Sequence, residues 1–302
     1  MHRRHFLAAG LALPALPRLL GTLPRMTATA AADTHAEIAA IERRVGGRLG
    51  VAFLDTASGR RFGHRAGERF PLCSTFKLLL AAQVLARVDA GQEQLTRMVG
   101  YGPADLLEYA PVTRANLAAG GMTVRALCEA AVSLSDNTAA NLLLATAGGP
   151  AGLTAFLRAS GDGLTRLDRN EPDLNTAIAG DPRDTTTPAA MLAVMRTLLL
   201  GRRLTPESRA LLVEWLLATS TGAAKLRAGV PPSWRVGDKT GMGANGSTND
   251  VAIAWATDRR PILVTAYLTG TSASVDDRNA AIADVGKALV TWLGAPSPQH
   301  RG

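Results

Sequence analysis

Trp234–Gly241 (WRVGDKTG), Val251–Asp258 (VAIAWATD) and Ile262–Gly270 (ILVTAYLTG) are runs rich in Val, Ile, Thr and aromatic residues. The last two are separated by the charged turn Asp258-Arg259-Arg260-Pro261. Side chains of these types pack well on a pleated surface, so the runs read as strands. Towards the N-terminus the next strand signal is 48–70 (RLGVAFLDTASGRRFGHRAGERF), two strands about a turn at Ala57-Ser58-Gly59. Between them, from Ser74 to about Trp215, the signals are almost all helical, as in TVRALCEAAVSLS (123–135), NTAANLLLATAGG (137–149) and ESRALLVEWLLATS (207–220). Helical patterns also bound the chain at 36–47 (AEIAAIERRVGG) and 282–294 (IADVGKALVTWLG). Strands at both ends of a helical middle predict an α/β (α+β) fold in which the two ends build one antiparallel sheet covered by the terminal helices. The predicted divisions are an α/β lobe over 33–69 and 217–302 and a helical lobe over 70–216, with the active site in the cleft between them.

The N-terminus joins paired arginines to a modest apolar stretch and then to small residues, which predicts an export signal over residues 1–32. Arg3-Arg4-x-Phe6-Leu7 matches the twin-arginine form, implying a periplasmic protein. No other stretch has the length of a membrane span, so the mature chain is expected to be soluble. The formal charge is +8, and loss of Arg3, Arg4, Arg18 and Arg25 with the signal leaves +4. That balance, with scattered aromatics making up 4% of the chain, argues against nucleic acid as a partner. Two cysteines, Cys73 and Cys128, allow one disulfide but no cysteine-based zinc cluster. The five histidines show no ligand spacing, so neither a metal nor a cofactor is expected. No long apolar stripe is left over for a partner subunit, which points to a monomer.

Three short motifs carry chemistry. In Ser74-Thr75-Phe76-Lys77 the three-residue spacing places hydroxyl and amine on one helical face, close enough for direct proton exchange. The leucines and alanines that follow would desolvate the lysine and favour its neutral, basic form, although a nearby carboxylate would oppose that. A capping serine beside a snorkelling lysine explains the same four residues. Ser135-Asp136-Asn137 lies between two helical segments, where it either faces a cleft or caps the following helix. Lys239-Thr240-Gly241 ends a strand with a cation, a hydroxyl and a flexible backbone, suited to an extended substrate or to a protected sheet edge. Residues 164–188 (LTRLDRNEPDLNTAIAGDPRDTTTP) form a long segment dense in charge, Pro and Gly, the kind of loop that is usually functional.

Taken in this order, the motifs form the set shared by class A β-lactamases and penicillin-binding proteins. From about Ala36 to about Gly294 the chain resembles the class A serine β-lactamases. The resemblance includes Asp89-Ala90-Gly91-Gln92, 108–113 (EYAPVT), 137–143 (NTAANLL) and 166–175 (RLDRNEPDLN). It implies a five-stranded sheet and hydrolysis of penicillins, with cephalosporins the next candidates, through an acyl-enzyme. Ser74 would be the nucleophile, Lys77 or Glu171 its base, and Ser135 a proton relay to the departing nitrogen. Glu171, with Asn175, would aim a water at the acylated serine, the feature that separates hydrolysing enzymes from D,D-peptidases and from sensor domains that stay acylated. Arg169 and Asp184 would pair across the loop to hold it. Asn137 and Tyr109 would contact the substrate, Gly241 and Met242 would line its strand-side edge, and the N–H groups of Ser74 and Met242 would form an oxyanion hole.

The chain departs from the family pattern in two places. Lys239 and Thr240 would meet the substrate carboxylate, but Thr248 stands where many relatives add an arginine, so Lys225 is the expected substitute cation. The usual disulfide partners of Cys128 and Cys73 fall at Ala81 and Gly243, so both thiols are expected to be free.

Overall fold

The computed structural model describes residues 26–257 and 260–294. Residues 1–25, which contain the twin-arginine stretch, and half of the Asp258–Pro261 turn lie outside the described residues. The N-terminal helix Met26–Val45 extends into the last residues of the predicted signal.

Five strands form the sheet, labelled in chain order β1 (Arg48–Asp55), β2 (Arg61–His64), β3 (Arg235–Met242), β4 (Thr248–Trp255) and β5 (Ile262–Thr269). Their order across the sheet is β2-β1-β5-β4-β3, and every neighbouring pair is antiparallel. The N-terminal hairpin therefore docks on the last strand of the C-terminal meander, with Val51 opposite Ala266. Both faces of the sheet are buried. On one, Val51, Phe53, Ala252 and Val264 pack with Ile38, Ile41, Ile282, Leu289 and Trp292 of the N-terminal helix and the C-terminal helix Val275–Gly294. On the other, Ala52, Val251, Ile253 and Tyr267 join the core of the helical body. This two-sided burial explains why the strands read as near-continuous apolar runs rather than alternating ones.

The helix Phe76–Asp89 runs through the middle of the helical body, with Phe76 through Leu85 all buried. A helix enclosed on every side needs no polar stripe, which accounts for its leucine-alanine run. The middle of the chain is not wholly helical, contrary to the expectation from its sequence. Short antiparallel pairs join Phe70–Pro71 to Thr185–Thr186 and Met98–Gly100 to Gly121–Thr123. Pairs of two or three residues are held by tertiary contacts and leave no periodic signal. The first ties the end of the long loop to the chain just before Ser74. Cys73 and Cys128 are both free and buried, and burial pushes both thiols up, so neither is a reactive thiolate.

Candidate active site

A 3-10 turn, Cys73–Thr75, precedes the buried helix and carries Ser74, with Cys73 at φ +44°. Asn249 Nδ2 donates to the carbonyls of Pro71 (2.9 Å) and Leu72 (3.2 Å), and Thr75 Oγ1 donates to Leu72 O (2.7 Å). The turn is thereby fastened to β4. Ser74 Oγ donates to Glu171 Oε1 at 3.3 Å. No direct hydrogen bond joins Ser74 to Lys77, which corrects the expectation of direct exchange. The lysine is drawn instead towards three acceptors, Ser135 O (2.8 Å), Asn137 Oδ1 (2.5 Å) and Glu171 Oε1 (3.0 Å). Burial holds the Lys77 ammonium below the usual lysine range against the pull of Glu171.

Ser135 sits at φ +59°, an uncommon conformation for a residue with a side chain, and its hydroxyl lies between two lysines. Lys239 Nζ donates to Ser135 Oγ at 3.1 Å, with Lys77 Nζ at 3.4 Å from the same oxygen. Lys239 is fully buried and also donates to Thr240 O. Burial, with Lys77 nearby, lowers its pKa to about 7. Asp136 provides the cap that the sequence allowed for either Ser135 or Asp136: its Oδ1 accepts from Ala139 N, and its Oδ2 accepts from Val112 N and Thr113 N.

The loop 164–188 closes the other side. Asn141 grips the backbone of Glu171 in both directions, Nδ2 to the carbonyl (2.9 Å) and Oδ1 from the N–H (3.0 Å). Asn175 Nδ2 donates to Glu171 Oε2 at 2.5 Å, while Asn175 Oδ1 is buried with no partner among the described residues. Arg169 pairs with Asp184 as expected, Nε to Oδ2 at 2.6 Å, and Asp184 Oδ1 also accepts the N–H groups of Asp168 and Arg169. Replacing Asp184 with Ala strands buried donors and a guanidinium at once. A loss of about 3 kcal/mol in stability is expected, read as a lowered urea midpoint.

These elements enclose a cavity of about 310 Å³ lined by Ser74, Tyr109, Ser135, Asn137, Asn175, Thr221, Lys225, Thr240, Gly241 and Met242. All twelve residues singled out from the sequence line this cavity or touch a residue that does. Tyr109 and Met242 form an exposed rim. Thr221, which sequence reading missed, shares a 2.6 Å hydrogen bond with Thr240. Asn141 was visible within a matching stretch, but nothing in its spacing marked it as a clamp on Glu171. At the mouth, Gly243 lies so near Cys73 that a Cβ there would be 2.7 Å from Sγ and 2.8 Å from Asn175 O. A larger groove of about 780 Å³ behind the loop, lined by Arg48, Ile178 and Asp181 among others, contains none of the candidate residues.

The constellation of a turn-borne serine, a buried lysine and a loop carboxylate matches a described family. The model of the β-lactamase enzyme family matches residues 33–293, and the chain belongs to that family. Within it, the chain is a class A β-lactamase. It is 49% identical over 301 residues to β-lactamase L2 of Stenotrophomonas maltophilia, covering 97% of this chain and 99% of that relative. Among solved structures it is similar to the class A β-lactamase of the last common ancestor of Gram-negative bacteria, with a TM-score of 0.85 and 61% identity over 86% of this chain and 99% of that one. A second ancestral class A enzyme matches with a TM-score of 0.84 and 61% identity, covering 85% and 98%.

Proposed function

We propose that this enzyme hydrolyses penicillins, and cephalosporins after them, through an acyl-enzyme on Ser74. The reading rests on one carboxylate, Glu171, held within hydrogen-bonding distance of Ser74, Lys77 and Asn175. In acylation, Ser74 Oγ attacks the lactam carbonyl and gives up its proton. The Ser74–Glu171 contact favours Glu171 as the acceptor, directly or through a water. The C–N bond breaks and the nitrogen takes a proton from Ser135 Oγ, which Lys77 resupplies; Glu171 passes the proton of Ser74 on to Lys77 across their 3.0 Å contact and is ionised again for the second step. The N–H groups of Ser74 and Met242 receive the developing oxyanion. In deacylation, Glu171 and the open Asn175 Oδ1 orient a water. Glu171 removes its proton as it attacks the ester, and that proton leaves on Ser74 Oγ. The balance is one β-lactam plus one water giving the ring-opened acid.

Lys239, Thr240 and Lys225 bind the substrate carboxylate, with Asn137 on the side-chain amide and Tyr109 and Met242 at the rim. Arg3-Arg4-x-Phe6-Leu7 supports export to the periplasm, where such substrates arrive. Nitrocefin turnover by the purified protein, lost in Ser74→Ala, tests the reading; acylation without turnover in the wild type overturns it.

The pKa of Lys239 carries a pH dependence. A lysine lowered to about 7 loses its charge as pH rises through that value, so the free enzyme's grip on an anionic substrate weakens above neutrality. The kcat/KM for benzylpenicillin is expected to fall along a basic limb near pH 7. For kcat the limb lies higher, because the bound carboxylate favours the charged lysine. In Lys239→Arg the limb in kcat/KM moves to higher pH, since a guanidinium stays charged.

A further inference from the structure

Lys225 lies in the cavity wall and is only 4% exposed, yet its Nζ makes no hydrogen bond or direct ion pair among the described residues. Two buried carboxylates face it, Asp238 on β3 and Asp250 on β4. Their situations differ. Asp238 Oδ1 is ion-paired with Arg227, and its Oδ2 packs so closely on Gly222 that any side chain there would collide with it. Asp250 is fully buried, its Oδ2 accepts the N–H of Leu226 at 3.1 Å, and its Oδ1 has no partner among the described residues. Arg227 thus answers Asp238 at Oδ1, and of the two lysines near Asp250 it is Lys225, with no side-chain bond of its own among the described residues, that is left to answer it, since Lys239 already donates to Ser135 and Thr240.

We propose that Asp250 is a positioning residue for substrate carboxylate recognition: it keeps Lys225 charged in the cavity wall, and the anionic substrate completes the ammonium's shell. Asp250 acts from behind, anchored to the backbone of the residue after Lys225. The charged groups around the pair are Asp238 and Lys239 on β3, Arg227, and Arg278 on the C-terminal helix. Burial and Arg278 draw the Lys225 ammonium down, and burial and Asp238 push the Asp250 carboxyl well up, while Lys225 and Asp250 each pull the other back towards its charged form. Removing Asp250 leaves the downward influences with one opponent, already engaged by Arg227. The proposal rests on Lys225 being a carboxylate ligand, as read above.

The test is steady-state kinetics of the purified enzyme on benzylpenicillin and on its methyl ester, which lacks the carboxylate charge. Asp250→Asn is expected to raise KM for benzylpenicillin about tenfold with kcat within about twofold, the scale of one lost charge-assisted contact. Turnover of the methyl ester stays unchanged. Adding Lys225→Arg to Asp250→Asn brings KM back to within about threefold of wild type, because a guanidinium needs no counter-ion to stay charged. Adding Lys225→Ala instead causes no further loss. An equal loss on the methyl ester, failure of the arginine rescue, or an additive loss with Lys225→Ala overturns the proposal, the last by assigning Asp250 to Lys239. If Lys225→Ala alone leaves KM unchanged, the reading of Lys225 as a ligand fails as well. If it raises KM while Asp250→Asn does not, only the role of Asp250 fails. Asp250→Ser, read the same way, replaces Asp250→Asn if that variant does not fold.

Discussion

Glu171→Ala is expected to become acylated by benzylpenicillin and then stall. Mass spectrometry should show the intact substrate's mass added to the enzyme, with kcat lower by about 10³ to 10⁴, the scale of a lost general base. The physical reason is the asymmetry between the two half-reactions. Acylation retains other proton carriers, because Lys77 and Lys239 both reach Ser135 Oγ and Lys77 lies one helical turn from Ser74. Deacylation has only the carboxylate that Asn175 and Asn141 hold in place. An absence of adduct, or turnover within tenfold of wild type, would assign the water-activating role elsewhere. If acylation slows by the same factor as overall turnover, Lys77 cannot replace Glu171 as the proton acceptor in the first step.

Lys77→Ala is expected to fail earlier. Acylation should slow by about 10³, and no adduct should accumulate because the surviving deacylation machinery clears what forms. Among the described residues Lys77 is the one cation that touches Ser135, Asn137 and Glu171 together, and both it and Glu171 are buried. Deleting it removes the cation that holds Asn137 and Glu171 in place around Ser74, together with the donor nearest the Ser135 carbonyl. Rapid burst kinetics separates the two variants: Glu171→Ala gives a full burst without turnover, and Lys77→Ala gives no burst. A full burst from Lys77→Ala would remove it from the acylation step.

The sheet was legible because strands buried on both faces keep their β-branched and aromatic residues together. The candidate residues were legible because catalytic spacing within one element is local: Ser74 with Lys77, or Lys239 with Thr240. The clamp of Asn141 on Glu171 spans 30 residues, and the hydroxyl pair Thr221–Thr240 joins a turn to a strand, so neither leaves a pattern in sequence. The short strand pairs were missed for the same reason, since their stability comes from what packs around them.

By itself the sequence determined which side chains can do chemistry and the order in which the chain presents them. It could not say which of two neighbours receives the proton of Ser74, because i, i+3 spacing puts Ser74 and Lys77 on one face without saying what else reaches that face. Tertiary structure supplies the second candidate by bringing Glu171, 97 residues away, within hydrogen-bonding distance of both Ser74 and Lys77. It likewise decided that Asp250 lies beside the Lys225 turn, since the N–H of Leu226, 24 residues earlier in the chain, donates to Asp250 Oδ2. The interaction of buried charges depends on their separation in space rather than along the chain.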